Sequence, residues 1–137
     1  MELDHITIND TEYPVYCDLR VLARIQDKYE TISKFERALL GQKIVYDADG
    51  NPERTEDGTI VKEETESSVE AIVDGLLYMI QEGQRLEGEE VTITEDELYG
   101  CIGNPYVLKY VVHSIFMKCF SSKKKEETPE TTRKTKK

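Results

Sequence analysis

The sequence predicts an α+β fold with an N-terminal β-hairpin, a middle β-hairpin or flap, about four helices and a disordered C-terminal tail. Three observations lead to this prediction: apolar alternation near the N-terminus, apolar recurrence at helical spacing after capping residues, and the loss of apolar patterning after Phe120. We therefore assign residues 1–120 to a single domain with a flexible loop at about 47–58, and residues 121–137 to a basic tail.

The charge of the chain is unevenly distributed. The 137 residues carry a net charge of −10. The segment after Phe120 has seven Lys or Arg residues and three Glu residues, so the first 120 residues carry −14. A body this acidic repels phosphate backbones, which disfavours a nucleic-acid-binding core. The basic segment has no apolar side chain with which to fold, as is typical of a solvated, disordered tail.

Composition indicates neither a membrane span nor a bound cofactor. No apolar run approaches the ~20 residues that a span requires, and the N-terminal sequence MELDHITIND lacks the apolar core of a secretory signal. Cys17, Cys101 and Cys119 are odd in number and widely spaced, which predicts three reduced cysteines that behave as small apolar residues. His5 and His113 lie far apart and no CxxC pair occurs, so no zinc site is expected. These features predict a cytosolic protein.

The N-terminal pattern predicts a β-hairpin. Ile6 and Ile8 alternate with polar residues, Asn9-Asp10 supplies turn chemistry, and the alternation resumes in TEYPVYC. Pro14 has no N–H group, so its nitrogen must face an edge of the hairpin.

Two helices are predicted between this hairpin and Gly41. Asp18 is expected to cap the first helix. Ser33 and Glu36 have capping-box spacing and start the second helix, which ends before Gly41. The residues expected to face the core are Leu19, Leu22, Ile25 and Tyr29 in the first helix and Phe35, Leu39 and Leu40 in the second.

The middle of the chain predicts a hairpin or flap. Two short β-type runs, KIVY and TIVK, flank the polar sequence DADGNPERTEDG, whose tip is expected to be mobile. Asp47, Asp49 and Asn51 match positions 1, 3 and 5 of a calcium-binding loop. Position 6, however, is Pro52 where a glycine is needed, and position 12 is Gly58 where a glutamate is needed. Beyond a weak surface cation, no metal site is predicted.

The strongest helical pattern follows Ser67 and Glu70, which have capping-box spacing. This helix should end between Gly83 and Gly88. Its apolar stripe is expected to consist of Val69, Ile72, Val73, Leu76, Leu77, Ile80 and Gln84, with Tyr78 and Met79 on its flanks.

Two more helix starts carry clear signals. Thr94 and Glu97 repeat the capping-box spacing, and Asn104 precedes a last helix with Pro105 at its first position. The last helix is apolar on two sides. One stripe is Val107, Leu108, Val111, Val112, Ile115 and Cys119, and the other is Tyr106, Tyr110, His113 and Met117.

The second stripe of the last helix has two interpretations, and both stay open from the sequence. An all-round apolar helix is usually central and buried. Alternatively, the stripe binds another protein, since Tyr and Met are enriched in such contacts. The candidate partner-binding residues are therefore Tyr106, Tyr110, His113 and Met117, with His113 expected to be packed and hydrogen-bonded.

Motifs for catalysis are missing from the sequence. There is no GxSxG, phosphate-binding loop, HExxH or glycine-rich dinucleotide turn. The carboxylates lie in polar runs such as EETES and EGEE, which are typical of solvated faces. The sequence thus predicts a binding protein and not an enzyme.

Three stretches resemble the tail assembly chaperones of long-tailed phages and prophages of Gram-positive bacteria. ITINDTEYPVYCDLRVL is similar to the family's "EYPV.FDLNAL", and ARIQDKYETISKFERALLG to "EIEEKFGSIEEFEKAL". LLYMIQEGQRLEG with ITEDELYGCIG is similar to "MINEGI…LTEEEVGRLI". Together these cover most of residues 6–103. Cys17, Arg20 and the middle flap depart from the family pattern.

The resemblance implies a non-enzymatic assembly factor without a cofactor. Such a protein would bind the tape-measure protein, help to recruit tail tube subunits in the bacterial host cytoplasm, and be absent from the mature virion. A homo-oligomer remains open. Two other classes also remain open: a virion structural protein such as a tail-completion or connector subunit, and an acidic regulatory protein that binds a basic partner.

The resemblance also suggests a hypothesis for the lysine run 123–125. Many tail chaperones are made in two lengths by a −1 ribosomal frameshift, and three lysine codons can form an unbroken run of adenines. An ordinary charged tail is the alternative that composition favours. Interrupted adenines, or no open −1 frame beyond them, would end the hypothesis.

Overall fold

The computed structural model describes residues 3–121 and has the predicted α+β architecture. Two antiparallel hairpins and five helices lie within this range, one helix more than the predicted count of about four. Apart from Ser121, the predicted tail lies outside the described residues. The elements are β1 (Asp4–Ile8), β2 (Thr11–Val15), α1 (Leu19–Tyr29), α2 (Ile32–Leu40), β3 (Gln42–Ile44), β4 (Lys62–Glu64), α3 (Val69–Leu86), α4 (Glu95–Tyr99) and α5 (Pro105–Lys118).

A two-residue turn closes the N-terminal hairpin. Asn9 and Asp10 have φ values of 50° and 69°, as a type I′ turn requires. β1 and β2 pair with Ile8 opposite Thr11, and Pro14 lies opposite His5.

The outer edge of β2 is covered by α3. The Tyr16 N–H donates to the Met79 carbonyl oxygen over 3.0 Å. A Cβ atom added at Gly83 would lie 2.4 Å from the Pro14 carbonyl oxygen, so the two backbones approach too closely for any other residue. The edge at which Pro14 lacks a donor is therefore the edge against α3.

The start of α1 agrees with the sequence prediction, whereas the start of α2 differs. Asp18 caps α1 and accepts the Val21 N–H over 3.2 Å. α2 is capped by Thr31 instead of the predicted Ser33, because the Thr31 hydroxyl reaches the Lys34 N–H over 3.0 Å.

Leu19 was predicted in the core but is exposed. The buried face of α1 centres on Val21, Leu22 and Ile25, and Leu19 lies more than a quarter turn away from that centre. Leu40 is only partly buried, whereas Phe35 and Leu39 are fully buried.

α3 is the central helix. Its cap is Ser68, one residue after the predicted Ser67, and its hydroxyl accepts the Ala71 N–H over 3.1 Å. Val69, predicted in the stripe, is exposed in the first turn. The buried residues lie on all sides of the helix and comprise positions 71–80 and 82–84.

The last two helices begin as predicted. Thr94 and Glu97 form both halves of a capping box, and Asn104 accepts the Tyr106 N–H over 2.9 Å with Pro105 in the first turn.

The cysteine prediction was wrong for two of the three residues. Cys17, after β2, and Cys119, after α5, form a disulfide with their Cα atoms 5.5 Å apart. They are 102 residues apart in the chain, so only the packing of α5 beside the N-terminal hairpin brings them together. Cys101 is free, and its thiol donates to the Glu97 carbonyl oxygen.

The flap contains a repeat of eight residues that sequence reasoning missed. Two three-residue loops each end on a glycine with positive φ, Gly50 and Gly58. Val45, Glu53 and Val61 form a closed ring of backbone hydrogen bonds: Val45 donates to Val61, Val61 to Glu53, and Glu53 to Val45, over 2.8–3.1 Å. The signal in the sequence was the recurrence of Asp-Gly after eight residues.

Candidate partner-binding surface

One side of α5 is exposed and apolar. Tyr106 and Tyr110 expose 64% and 62% of their surface, and Met117 exposes 44%. Val107, predicted in the buried stripe, is exposed beside them. The buried side consists of Val112, Ile115 and Phe116 with Leu108, Val111 and Cys119 partly buried. We call Tyr106, Val107, Tyr110 and Met117 the α5 surface.

His113 is turned away from the α5 surface. Its Nε2 lies 2.8 Å from Glu36 Oε2 on α2, and its ring lies 5.8 Å from that of Phe116. It is therefore the packed, hydrogen-bonded histidine that the sequence suggested. The structure brings together three of the four candidate residues and adds Val107, which lies next to Tyr106 where the two predicted stripes meet.

A shallow groove of about 680 Å³ separates α5 from β1. One wall is formed by Asp4, His5 and Ile6 of β1. Lys118 forms an ion pair with Asp4 across one end. The α5 wall consists of Tyr106, Val107, Tyr110, Val111, Ser114, Ile115 and Lys118.

A second cavity, of about 450 Å³, lies between the β1–β2 turn, α3 and the segment that joins α4 to α5. Its lining is mostly apolar and contains no carboxylate, histidine, lysine or arginine. Ile102 at its rim is 91% exposed. These walls suit an apolar group but supply no acid–base pair.

The first buried charged cluster joins α1 to α3. Asp74 is 1% exposed and accepts a hydrogen bond from the Tyr29 hydroxyl over 2.6 Å. Lys28 Nζ lies 2.8 Å from Asp74 and 3.0 Å from Glu70. Its hydrogen bond to Asp74 is the main cause of a raised Lys28 pKa, and burial is the main cause of a raised Tyr29 pKa. Each donor satisfies the buried carboxylate, so the cluster fastens two helices together.

The second cluster joins the start of α1 to the end of α3. Glu82 is buried and accepts two hydrogen bonds from Arg85, over 2.9 and 2.8 Å. These bonds are the main reason that the pKa of Glu82 falls to about 2. Burial, followed by a hydrogen bond with Glu82, raises the pKa of Asp18.

Asp47, the first residue of the calcium-like pattern, is engaged in its own turn. Its Oδ1 accepts the N–H groups of Asp49 and Asn51 over 2.9 and 3.0 Å. Between residues 3 and 121, no group of three or more His, Cys, Asp or Glu side chains is placed to hold a metal ion. The helices of this range include none with the length and apolar character needed to cross a membrane.

Comparison with known proteins gave no relatives: no family model, curated protein or solved structure matches the chain. The function is therefore argued from the surfaces described above.

Proposed function

We propose that this chain is a non-enzymatic tail assembly chaperone of a long-tailed phage or prophage. It binds the tape-measure protein in the bacterial host cytoplasm, helps to recruit tail tube subunits, and leaves before the virion is complete. The observation that carries the proposal is the α5 surface, a row of large apolar side chains exposed on an otherwise acidic domain.

Such a surface suits the binding of an aggregation-prone partner. Tyr and Met offer large contact areas, and Met adapts to partners of different shape. The net charge of −14 on the first 120 residues keeps the complex soluble through repulsion between complexes.

Co-purification tests the surface directly. The protein is co-expressed with a tagged tape-measure protein from the same gene cluster, and the captured amounts are compared. We expect the double variant Tyr110→Ser/Met117→Ser to reduce capture about tenfold or more, because exposed aromatic side chains dominate such contacts.

Tyr46 supplies the matched control. Tyr46 is 58% exposed, which is close to the 62% of Tyr110, but it lies on the flap. Tyr46→Ser should leave capture unchanged. Equal capture by the double variant and the Tyr46 variant, with both folded, would contradict the assignment of the α5 surface.

The acidic body also favours a second candidate, a regulatory protein that binds a basic partner. In that case capture would depend on salt and not on Tyr110 or Met117. Mass spectrometry of purified particles tests the third candidate, a virion structural protein, since a chaperone would be missing from them.

A further inference from the structure

The outer edge of β1 is free. β1 pairs with β2 alone, and the two-residue turn makes Ile8 its first hydrogen-bonded residue, followed by Ile6 and Asp4. The intervening residues, His5 and Thr7, therefore direct their N–H and C=O groups away from β2. Among residues 3–121, no backbone group bonds to these four groups.

The groove beside α5 runs along this edge. Asp4, His5 and Ile6 are consecutive residues, and all three line it. A groove over one face of a strand would be lined by alternate residues only, since successive side chains point to opposite faces. The free backbone groups of His5 and the side chains of Tyr106, Val107 and Tyr110 thus border the same space. Thr7 lies further along the same edge, where it lines the second cavity.

We propose that the partner segment is extended and adds to β1 as a third strand. Its backbone would bond with His5 and Thr7, and every second side chain would pack on Tyr106, Val107 and Tyr110. This inference rests on the proposed function, because it specifies how the α5 surface holds its partner.

The charges of the groove and of the surrounding domain indicate which residues the bound segment should carry. The charged side chains Asp4 and Lys118 of the groove neutralise each other, so the groove favours an uncharged segment with apolar residues at alternate positions. The surrounding domain is acidic, which favours basic residues at both ends of the segment.

Two other occupants fit less well. A second copy of the chain would bring a second acidic body to the groove, and the two would repel each other. The chain's own basic segment after Ser121 has no apolar side chain to place against Tyr110.

The probe for the test is a labelled, end-blocked peptide, Lys-Lys-Val-Thr-Val-Thr-Val-Lys-Lys, with binding measured by fluorescence anisotropy. Two further versions carry N-methyl groups, one on the valines and one on the threonines. Successive N–H groups of a strand point to opposite edges, so only one version loses the bonds to β1. We expect one version to bind at least about tenfold more weakly and the other to bind like the parent.

Two variants of Thr7 test the protein side. Thr7→Pro removes an N–H on the outer edge of β1, just as Pro14 lacks one on the outer edge of β2. Thr7→Val keeps this N–H. We expect Thr7→Pro to weaken peptide binding about tenfold and Thr7→Val to leave it within about twofold. Circular dichroism melting establishes that both variants fold.

Several outcomes would overturn strand addition: no binding of the parent peptide at about 1 mM, equal effects of the two N-methyl versions, or equal binding by folded Thr7→Pro and Thr7→Val. If Thr7→Pro does not fold, the N-methyl peptides decide with the unaltered protein. Tape-measure capture that survives Thr7→Pro but is lost in Tyr110→Ser/Met117→Ser would leave the proposed function standing and remove this inference alone.

Discussion

α3 and α5 both carry apolar side chains on more than one side, yet only α3 is buried all round. α3 packs closely against α1, α2, α4, α5 and β2, whereas α5 packs closely against α2 and α3 and meets β1 through the Asp4–Lys118 ion pair. Apolar composition alone therefore does not decide burial. The extent of burial depends on how many neighbouring elements pack against the helix.

Two glycines let neighbouring elements pack closely on α3, and its buried carboxylates have hydrogen-bond donors. Gly83 admits the backbone of β2 at Pro14, and Gly75 admits the Val112 side chain of α5. The buried carboxylates of α3 find their hydrogen-bond donors on neighbouring side chains. Between Pro105 and Lys118, α5 has neither a glycine nor an acidic residue, so its outer side keeps an apolar surface without a neighbour.

The largest expected difference between the two helices is the effect of truncating an apolar side chain. Leu76→Ala on α3 should lower the free energy of unfolding by about 2–5 kcal/mol because it leaves a cavity. Val107→Ala on α5 should change it by less than about 0.5 kcal/mol because Val107 is exposed. Urea unfolding of both variants measures the contrast, and similar losses would mean that the α5 surface is buried.

The second contrast concerns how each helix is held. α5 is fastened at its C-terminal end by the Cys17–Cys119 disulfide, whereas α3 is held by packing and by its two buried charged clusters. Reduction, or Cys17→Ser/Cys119→Ser, should lower stability by about 2–4 kcal/mol. Hydrogen exchange should accelerate more in α5 than in α3.

Cys101→Ser is the matched control for the disulfide, because Cys101 is the free cysteine. Thiol titration of the unreduced protein should find one reactive group per chain. Three groups, with no effect of reductant on unfolding, would refute the disulfide.

The third contrast is the response to acid. The folded pKa of Glu82, about 2, lies below its ordinary value of 4.5, so its stabilisation is complete above pH 4.5 and is lost as the pH falls to about 2. The raised pKa of Asp18, which is caused first by burial and then by its hydrogen bond with Glu82, acts in the opposite sense, because protonation removes a partly buried charge. We expect a net loss on the order of 2 kcal/mol between pH 5 and pH 2.5.

Glu82→Gln should remove most of this acid dependence in urea unfolding measured across that range. Glu89→Gln, at an exposed position after α3, should retain it. An unchanged slope in Glu82→Gln would show that other carboxylates govern the acid response.

The smallest contrast compares the two glycines of α3. An alanine at Gly83 meets rigid backbone at 2.4 Å, whereas an alanine at Gly75 meets the Val112 side chain at 2.6 Å. Gly83→Ala should therefore be less stable than Gly75→Ala by about 1–2 kcal/mol, although both gain helix propensity. Thermal melting of the two variants decides the order, and equal stability would mean that β2 shifts freely against α3.

Local chemistry made much of the fold predictable. The Asn9-Asp10 turn, the Asp18 cap and the Thr94 capping box depend on neighbouring residues only, and each was confirmed. The spacing to Glu70 favours Ser67 as the cap of α3, whereas the cap is Ser68, because adjacent hydroxyls compete for the same role and only the helix phase selects between them.

Long-range features were not predictable. The Cys17–Cys119 pair depends on chain packing over 102 residues. The candidate surface was predicted only in part, because the sequence shows two stripes on α5 but not which neighbours reach them. The outer edge of β1 is free because no strand of residues 3–121 other than β2 pairs with β1, and no local sequence pattern reveals this.

The ion pair between Asp4 and Lys118 has a consequence for chain connectivity. It places the two ends of the described chain side by side, and the nearby Cys17–Cys119 disulfide links the same two regions covalently. A short linker could therefore join residue 121 to residue 3, while new ends are opened at the exposed tip of the flap near Gly58. Such a circular permutant is expected to keep the same core, because its helices would be joined in the same spatial arrangement.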